Sequence, residues 1–86
     1  MSSALQVYYA DFDAVFLKLP AHLRARIETK IDEMGSRLIA FPHERLKGSH
    51  RYRLRVGDYR VIYDFDTEQN TIHLLALGHR REIYRR

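Results

Sequence analysis

The stretch that most limits how this chain can fold is residues 51 to 60, Arg-Tyr-Arg-Leu-Arg-Val-Gly-Asp-Tyr-Arg. Arginine alternates with apolar residues at a period of two. This places Arg51, Arg53 and Arg55 on one face of a β-strand and Tyr52, Leu54 and Val56 on the other, which is the core face. Gly57-Asp58 is a two-residue hairpin signal with glycine at the first central position, so the chain returns as Tyr59-Arg60-Val61-Ile62-Tyr63-Asp64-Phe65. That register sets Arg55 opposite Arg60. Like charges facing each other across a sheet cost ~0.2–1 kcal/mol, so folding gives no reason for the pair. An anionic ligand does.

The rest of the chain supplies what such a hairpin needs to pack against. Residues 4 to 10 read as a short strand, with Leu5, Val7 and Tyr9 alternating against Gln6 and Tyr8. From Asp11, a candidate cap, the period lengthens. Phe12, Val15, Phe16 and Leu19 form the apolar stripe of a short helix. Pro20 ends it and suits the first turn of a second helix, which carries Leu23, Ile27, Ile31, Met34 and Leu38 on one face. Its outer face mixes Glu28, Asp32 and Glu33 with Arg24, Arg26, Lys30 and Arg37, the pattern of a solvated surface. Phe41-Pro42-His43 stops the helix, and a loop runs to His50. Strands are expected over about 51 to 56, 59 to 65 and 71 to 77, the last with Ile72, Leu74 and Ala76 alternating against His73, Leu75 and Leu77. The order is strand, helix, helix, then three antiparallel strands. That is an α+β domain with its helices on one sheet face and Arg53, Arg55 and Arg60 on the other.

Eighty-six residues suffice for one domain, spanning 1 to 86, with a single core. There is no cysteine to staple it, which fits a reducing, cytoplasmic setting. No apolar run approaches the ~18–20 residues of a membrane span, and no leader pattern opens the chain, so a soluble, unprocessed protein is expected. The net charge of +4 is unevenly placed. Residues 1 to 43 hold five Lys/Arg and five Asp/Glu, whereas residues 44 to 86 hold ten and six. Arg45, Lys47, Arg51, Arg53, Arg55 and Arg60 stand against Asp58, and Arg80, Arg81, Arg85 and Arg86 form a second cluster. A polyanionic partner, nucleic acid or an acidic protein, fits this asymmetry.

RNA is a fitting ligand for the arginine face. Guanidinium groups stay charged and make forked hydrogen bonds to phosphate, and at a scissile phosphate they stabilise the charge that grows in the transition state. Five histidines, His22, His43, His50, His73 and His79, are candidates for proton transfer. His50 and His79 are the better placed, each beside an arginine at a strand end. No two histidines fall at i, i+3 or i+4, no carboxylates join them at metal-ligand spacing, and there is no phosphate-binding glycine loop, dinucleotide turn or nucleophile elbow.

The tail Gly78-His79-Arg80-Arg81-Glu82-Ile83-Tyr84-Arg85-Arg86, with Leu46-Lys47-Gly48, Tyr52-Arg53-Leu54-Arg55 and Gly57-Asp58-Tyr59-Arg60-Val61-Ile62-Tyr63, resembles the RelE/ParE superfamily of bacterial type II toxin–antitoxin toxins. The resemblance covers nearly the whole chain and implies the RelE-like fold: an N-terminal strand, two helices, a three-stranded antiparallel sheet and a short C-terminal tail. Within that superfamily, RelE-like toxins are ribosome-dependent endoribonucleases that cut mRNA in the A site, and ParE-like toxins poison DNA gyrase. This chain is more similar to the RelE branch. The family's basic strand positions match Arg53 and Arg55, its arginine after the tyrosine of the returning strand matches Arg60, and its late arginine and tyrosine match Arg80 and Tyr84.

The resemblance implies attack of an mRNA 2′-hydroxyl on the adjacent phosphate, without metal or cofactor. Arg60 and Arg80 would then act at the scissile phosphate and leaving oxygen, Tyr84 would stack on a base, and His79 is the candidate for proton transfer. Arg53 and Arg55 would position the RNA, with Arg51, Lys47, Arg81 and Arg85 as further RNA contacts. Lysine is frequent at the first two positions in the family, and arginine there is a poor proton acceptor. The implied partners are a cognate antitoxin in a hetero-oligomer and the ribosome with its mRNA, with no membrane involved. The alternatives are a ParE-like gyrase inhibitor that cuts nothing, and a degenerate toxin that retains only antitoxin binding.

Overall fold

A computed structural model describes residues 3–85, and of Arg85 the backbone alone. Within these residues the elements are β1 (Leu5–Tyr8), α1 (Ala10–Phe16), α2 (Ala21–Ser36), β2 (Glu44–Arg45), β3 (Tyr52–Val56), β4 (Tyr59–Asp66), β5 (Thr71–His79) and one turn of 3₁₀ helix at Ile83–Arg85. The strands form one mixed sheet in the order β1-β5-β4-β3-β2. β1 runs parallel to β5, and every other pair is antiparallel. The expected α+β class therefore holds, with two differences. The N-terminal strand joins the sheet beside β5, and the stretch expected as loop from residue 44 begins with the two-residue strand β2, paired to Tyr52 and Arg53.

α1 starts from an extended Tyr9 with no side-chain cap. Asp11 is not the cap but sits in the first turn, where its charge favours the positive end of the helix. Pro20 precedes α2 and offers its carbonyl to the Leu23 and Arg24 amides, so its missing N–H leaves no bond unmade. Ile27, Ile31 and Met34 of α2 and Phe12 of α1 are buried against Leu54, Val56, Val61, Tyr63, Ile72, Leu74 and Leu77 of the sheet. Leu38 lies beyond the helix end at Ser36 and is buried in the same core. At this side of the core His43 stacks on Phe65, with ring centroids 3.9 Å apart. Its Nε2–H donates to the Leu38 carbonyl at 2.7 Å, so Nδ1 accepts from the Tyr63 hydroxyl at 2.6 Å. Burial pushes the Tyr63 phenol well above its ordinary 10.0, which keeps it a donor.

β3 and β4 pair as the sequence predicts, Arg55 opposite Arg60 and Val56 opposite Tyr59, with Gly57 at φ +59° in the turn. β5 departs from expectation. Tyr63 pairs with Leu74 but Ile62 with Ala76, so Leu75 is an extra residue that bulges out of the ladder. A one-residue shift exchanges the faces of everything after it. Leu77, not Ala76, enters the core, and beyond it Gly78 shares a face with Arg60 while His79 shares one with Tyr59. No described helix is long and apolar enough to cross a membrane.

Candidate nucleic-acid interface

With both helices on one side of the sheet, the other side carries two cross-strand rows. One runs Glu44, Arg53, Ile62, Ala76; the next runs Arg55, Arg60, Gly78. The C-terminal tail lies over the second row. A side chain on Gly78 would stand 3.0 Å from Ile83 Cδ1 and 3.2 Å from its Cβ, so glycine is what lets the tail approach the strand. Ile62 and Ile83, 7% and 6% exposed, are buried on this side, away from the main core cluster. Seating Ile83 brings Tyr84 to Arg53. The Arg53 Nη1 donates to the Tyr84 hydroxyl at 3.2 Å, and its guanidinium lies 5.9 Å from the ring centroid. Tyr84 stays 47% exposed, so part of its ring remains open to a ligand.

The arginines are not equivalent. Arg53 Nε donates to Glu44 Oε1 at 2.8 Å, and its Nη2 reaches the same oxygen. Arg55, 61% exposed, points Nη2 toward that oxygen from 3.9 Å. Arg60 folds back over the hairpin, Nη1 donating to the Gly57 and Tyr59 carbonyls at 2.8 Å each, with no carboxylate in salt-bridge range among the described residues. The Arg53 hydrogen bond holds the Glu44 carboxyl below its ordinary value. Desolvation opposes this, and the charges of Arg53, Arg55 and Arg60 reinforce it. Arg53 is pushed up in turn, by its bond to Glu44 first and to Tyr84 second. Glu44 is thus a member of the site that the sequence pattern missed. Its partner is nine residues away across an expected loop, and a two-residue strand leaves no periodicity to detect.

Of the residues singled out from the sequence, Arg53, Arg55, Arg60 and Tyr84 share the face away from the helices. Arg80 sits at its margin, where its amide donates to the Asp58 carbonyl at 2.8 Å and its Nε lies 3.8 Å from the Asp58 carboxylate. The bulge sets His79 on the face of Tyr59 and not on that of Arg60, edge-on to the Tyr59 ring at 5.7 Å, with its Nδ1 accepting the Arg81 amide. Arg51 and Lys47 are exposed on the β2–β3 connection, beside His50, whose Nδ1 faces Arg45 Nη2 at 3.3 Å. Arg81 is exposed in the turn before the tail, and the Arg85 side chain lies outside the described residues. Among the described residues no three His, Cys, Asp or Glu side chains converge as metal ligands would.

This architecture is shared with solved toxins. The chain is similar to the archaeal RelE–RelB complex of Pyrococcus horikoshii, with 24% identity, a TM-score of 0.76, and 94% of this chain and 99% of that one covered. It is similar to the RelB–RelE antitoxin–toxin complex of Methanococcus jannaschii, with 26% identity, a TM-score of 0.70, and 92% and 95% covered. The isolated Escherichia coli RelE toxin matches at 18% identity and a TM-score of 0.75 over 96% and 93%. No curated protein matches the sequence. The family model described as the ParE toxin of the type II toxin–antitoxin system parDE matches residues 8–84, from the last residue of β1 into the 3₁₀ turn. A match over that length, on the fold that RelE toxins share, establishes that the chain belongs to the ParE toxin family of type II toxin–antitoxin systems, within the RelE/ParE superfamily.

Proposed function

We propose that this toxin acts as a RelE does, as a ribosome-dependent endoribonuclease that cuts mRNA in the A site and so stops translation. The observation that carries the reading is the gathering of Arg53, Arg55, Arg60 and Tyr84 on the sheet face away from the helices, with the tail seated against Gly78. In the reaction the 2′-oxygen forms a bond to the adjacent phosphorus and the bond to the 5′-oxygen breaks, leaving a 2′,3′-cyclic phosphate and a 5′-hydroxyl. Arg60 stabilises the charge growing on the phosphoryl oxygens, and Arg80 reaches in from the hairpin end. Arg53 and Arg55 hold the flanking phosphates, and Tyr84 stacks on an unstacked base. Guanidinium groups supply the positive charge, so the step asks for no metal. A chain this small offers few groups to orient RNA, so the ribosome provides the alignment. The RelE–RelB assemblies among its structural neighbours support a cognate antitoxin as partner in a hetero-oligomer.

The family match favours a second reading, a ParE-like inhibitor of DNA gyrase that binds protein and cuts nothing. In vitro translation followed by primer extension on the mRNA, run beside a gyrase supercoiling assay, separates the two. The expected result is discrete mRNA ends that require ribosomes. Inhibition of supercoiling at the same concentrations, with intact mRNA, would overturn the nuclease reading.

A further inference from the structure

Glu44 occupies an unusual place for a surface carboxylate. One of its oxygens receives two nitrogens of Arg53 and faces Arg55 Nη2 at 3.9 Å, on a protein face that otherwise presents cations. An exposed ion pair of this kind adds little to stability, so the fold does not need it. A phosphate oxygen fits the same place, because a guanidinium donates to carboxylate and phosphate oxygens alike. The Tyr84 hydroxyl accepts from Arg53 Nη1 at 3.2 Å, which leaves its own proton to donate to a third oxygen. Two arginines therefore face one carboxylate oxygen, while the Tyr84 hydroxyl takes the remaining nitrogen of Arg53. That carboxylate rides on a strand of two residues at the edge of the sheet, and its side chain is 44% exposed. It can leave without unmaking the core.

We propose that Glu44 is a built-in competitor for RNA at Arg53 and Arg55, an internal anion that a single-stranded RNA phosphate displaces on binding. The inference rests on the reading that this face receives RNA, and it adds that affinity is set low by the protein itself. It has an electrostatic signature. Each arginine that neutralises a phosphate releases cations condensed on the RNA, so affinity falls with salt, and a carboxylate left beside Arg53 offsets that neutralisation.

The test uses the full chain, a short single-stranded RNA oligonucleotide lacking any ribosome, and a titration of salt. Glu44→Gln keeps the shape and removes the charge, and Glu44→Ala serves as the second variant. Both are expected to bind RNA about tenfold more tightly at low salt, the worth of one charge-assisted contact. The log–log salt slope should steepen by ~0.7, one added phosphate contact on a single strand. Arg53→Ala in the Glu44→Gln background should abolish both gains. Unchanged affinity and slope in both variants would overturn the competitor, and so would weaker binding, which would make Glu44 an organiser of the arginines. If wild type and the Arg53→Ala, Arg55→Ala double variant bind RNA alike, the RNA reading of the face fails as well. That outcome is distinct from wild type binding through these arginines with Glu44 inert.

Discussion

Placing valine at Gly78 tests how the tail is held and what it is for. The added Cβ meets the body of Ile83, at 3.2 Å from its Cβ and 3.5 Å from its Cα as well as 3.0 Å from its Cδ1, so rotating one flexible methyl does not relieve the contact. Valine's two further methyls fill the space Ile83 occupies, and the 3₁₀ turn has to leave. The cost is bounded, because a tail that has left loses no more than it contributed. Exposing a buried isoleucine costs ~1.5–3 kcal/mol. Valine's preference for a strand over glycine's returns up to ~1 kcal/mol. A net loss of about 1–2 kcal/mol is expected in urea melts. Ile83→Ala should cost a similar amount, and the double variant little more than either alone, because both act by releasing one segment. Ribosome-programmed cleavage should fall roughly ten- to a hundredfold in each, the worth of one base stacked on Tyr84. Additive losses would show that Ile83 and Gly78 are not seated on one another. A loss above about 4 kcal/mol would exceed what the tail can supply and place the damage in β5.

Arg60→Ala should bind programmed ribosomes but cut ~10²–10³-fold more slowly in single-turnover assays, with Arg60→Lys recovering part because it keeps charge without the fork. Near wild-type cutting would remove Arg60 from the site. His79→Ala should escape the ~10²–10⁴-fold penalty of a lost acid–base group, since the bulge faces it away from Arg60; a drop of that size would reinstate it. His43→Ala should lose ~2–4 kcal/mol in urea melts by stranding the Tyr63 hydroxyl and the Leu38 carbonyl and removing the ring stacked on Phe65, whereas a loss below about 1 kcal/mol would mean that water replaces it. The Glu44 carboxyl titrates below its ordinary 4.5 in the folded protein, so its contribution to stability is present above that pH and lost as pH falls through the folded value. Wild type and Glu44→Gln should show only a small difference in stability above pH 4.5, as befits an exposed pair, and converge on acidification; a difference independent of pH would contradict the ion pair.

The hairpin and its arginine pair were legible because two local signals agreed. Strict alternation from Arg51 to Val56 fixed the faces, and Gly57-Asp58 fixed the register. β5 lacked such agreement. Leu74, Leu75, Ala76 and Leu77 are all apolar, so alternation there carries no information about which residue is extra, and the faces of Gly78 and His79 were decided by packing across the sheet. β1 was legible as a strand but its place beside β5 is a tertiary fact, and Glu44 was hidden because its role depends on a pairing two residues long. Tyr84 was legible as a site residue, but its neighbour proved to be Arg53, because the reach of the tail depends on how closely Ile83 approaches Gly78.

β5 also dictates the order in which the molecule can come into being. It is flanked by β1 on one side and β4 on the other, joining Leu5 to Thr71 and Tyr59 to His79. A chain synthesised from its N-terminus holds β1 and the apolar faces of both helices without a sheet to complete until its last strand emerges. Pairings this distant in sequence also form late. A fragment of residues 1 to 70 should therefore remain unfolded by circular dichroism and regain structure when a peptide of residues 71 to 86 is supplied. A fold that closes last, at the strand leading into the C-terminal tail, leaves an interval during synthesis in which the arginine face is not yet assembled.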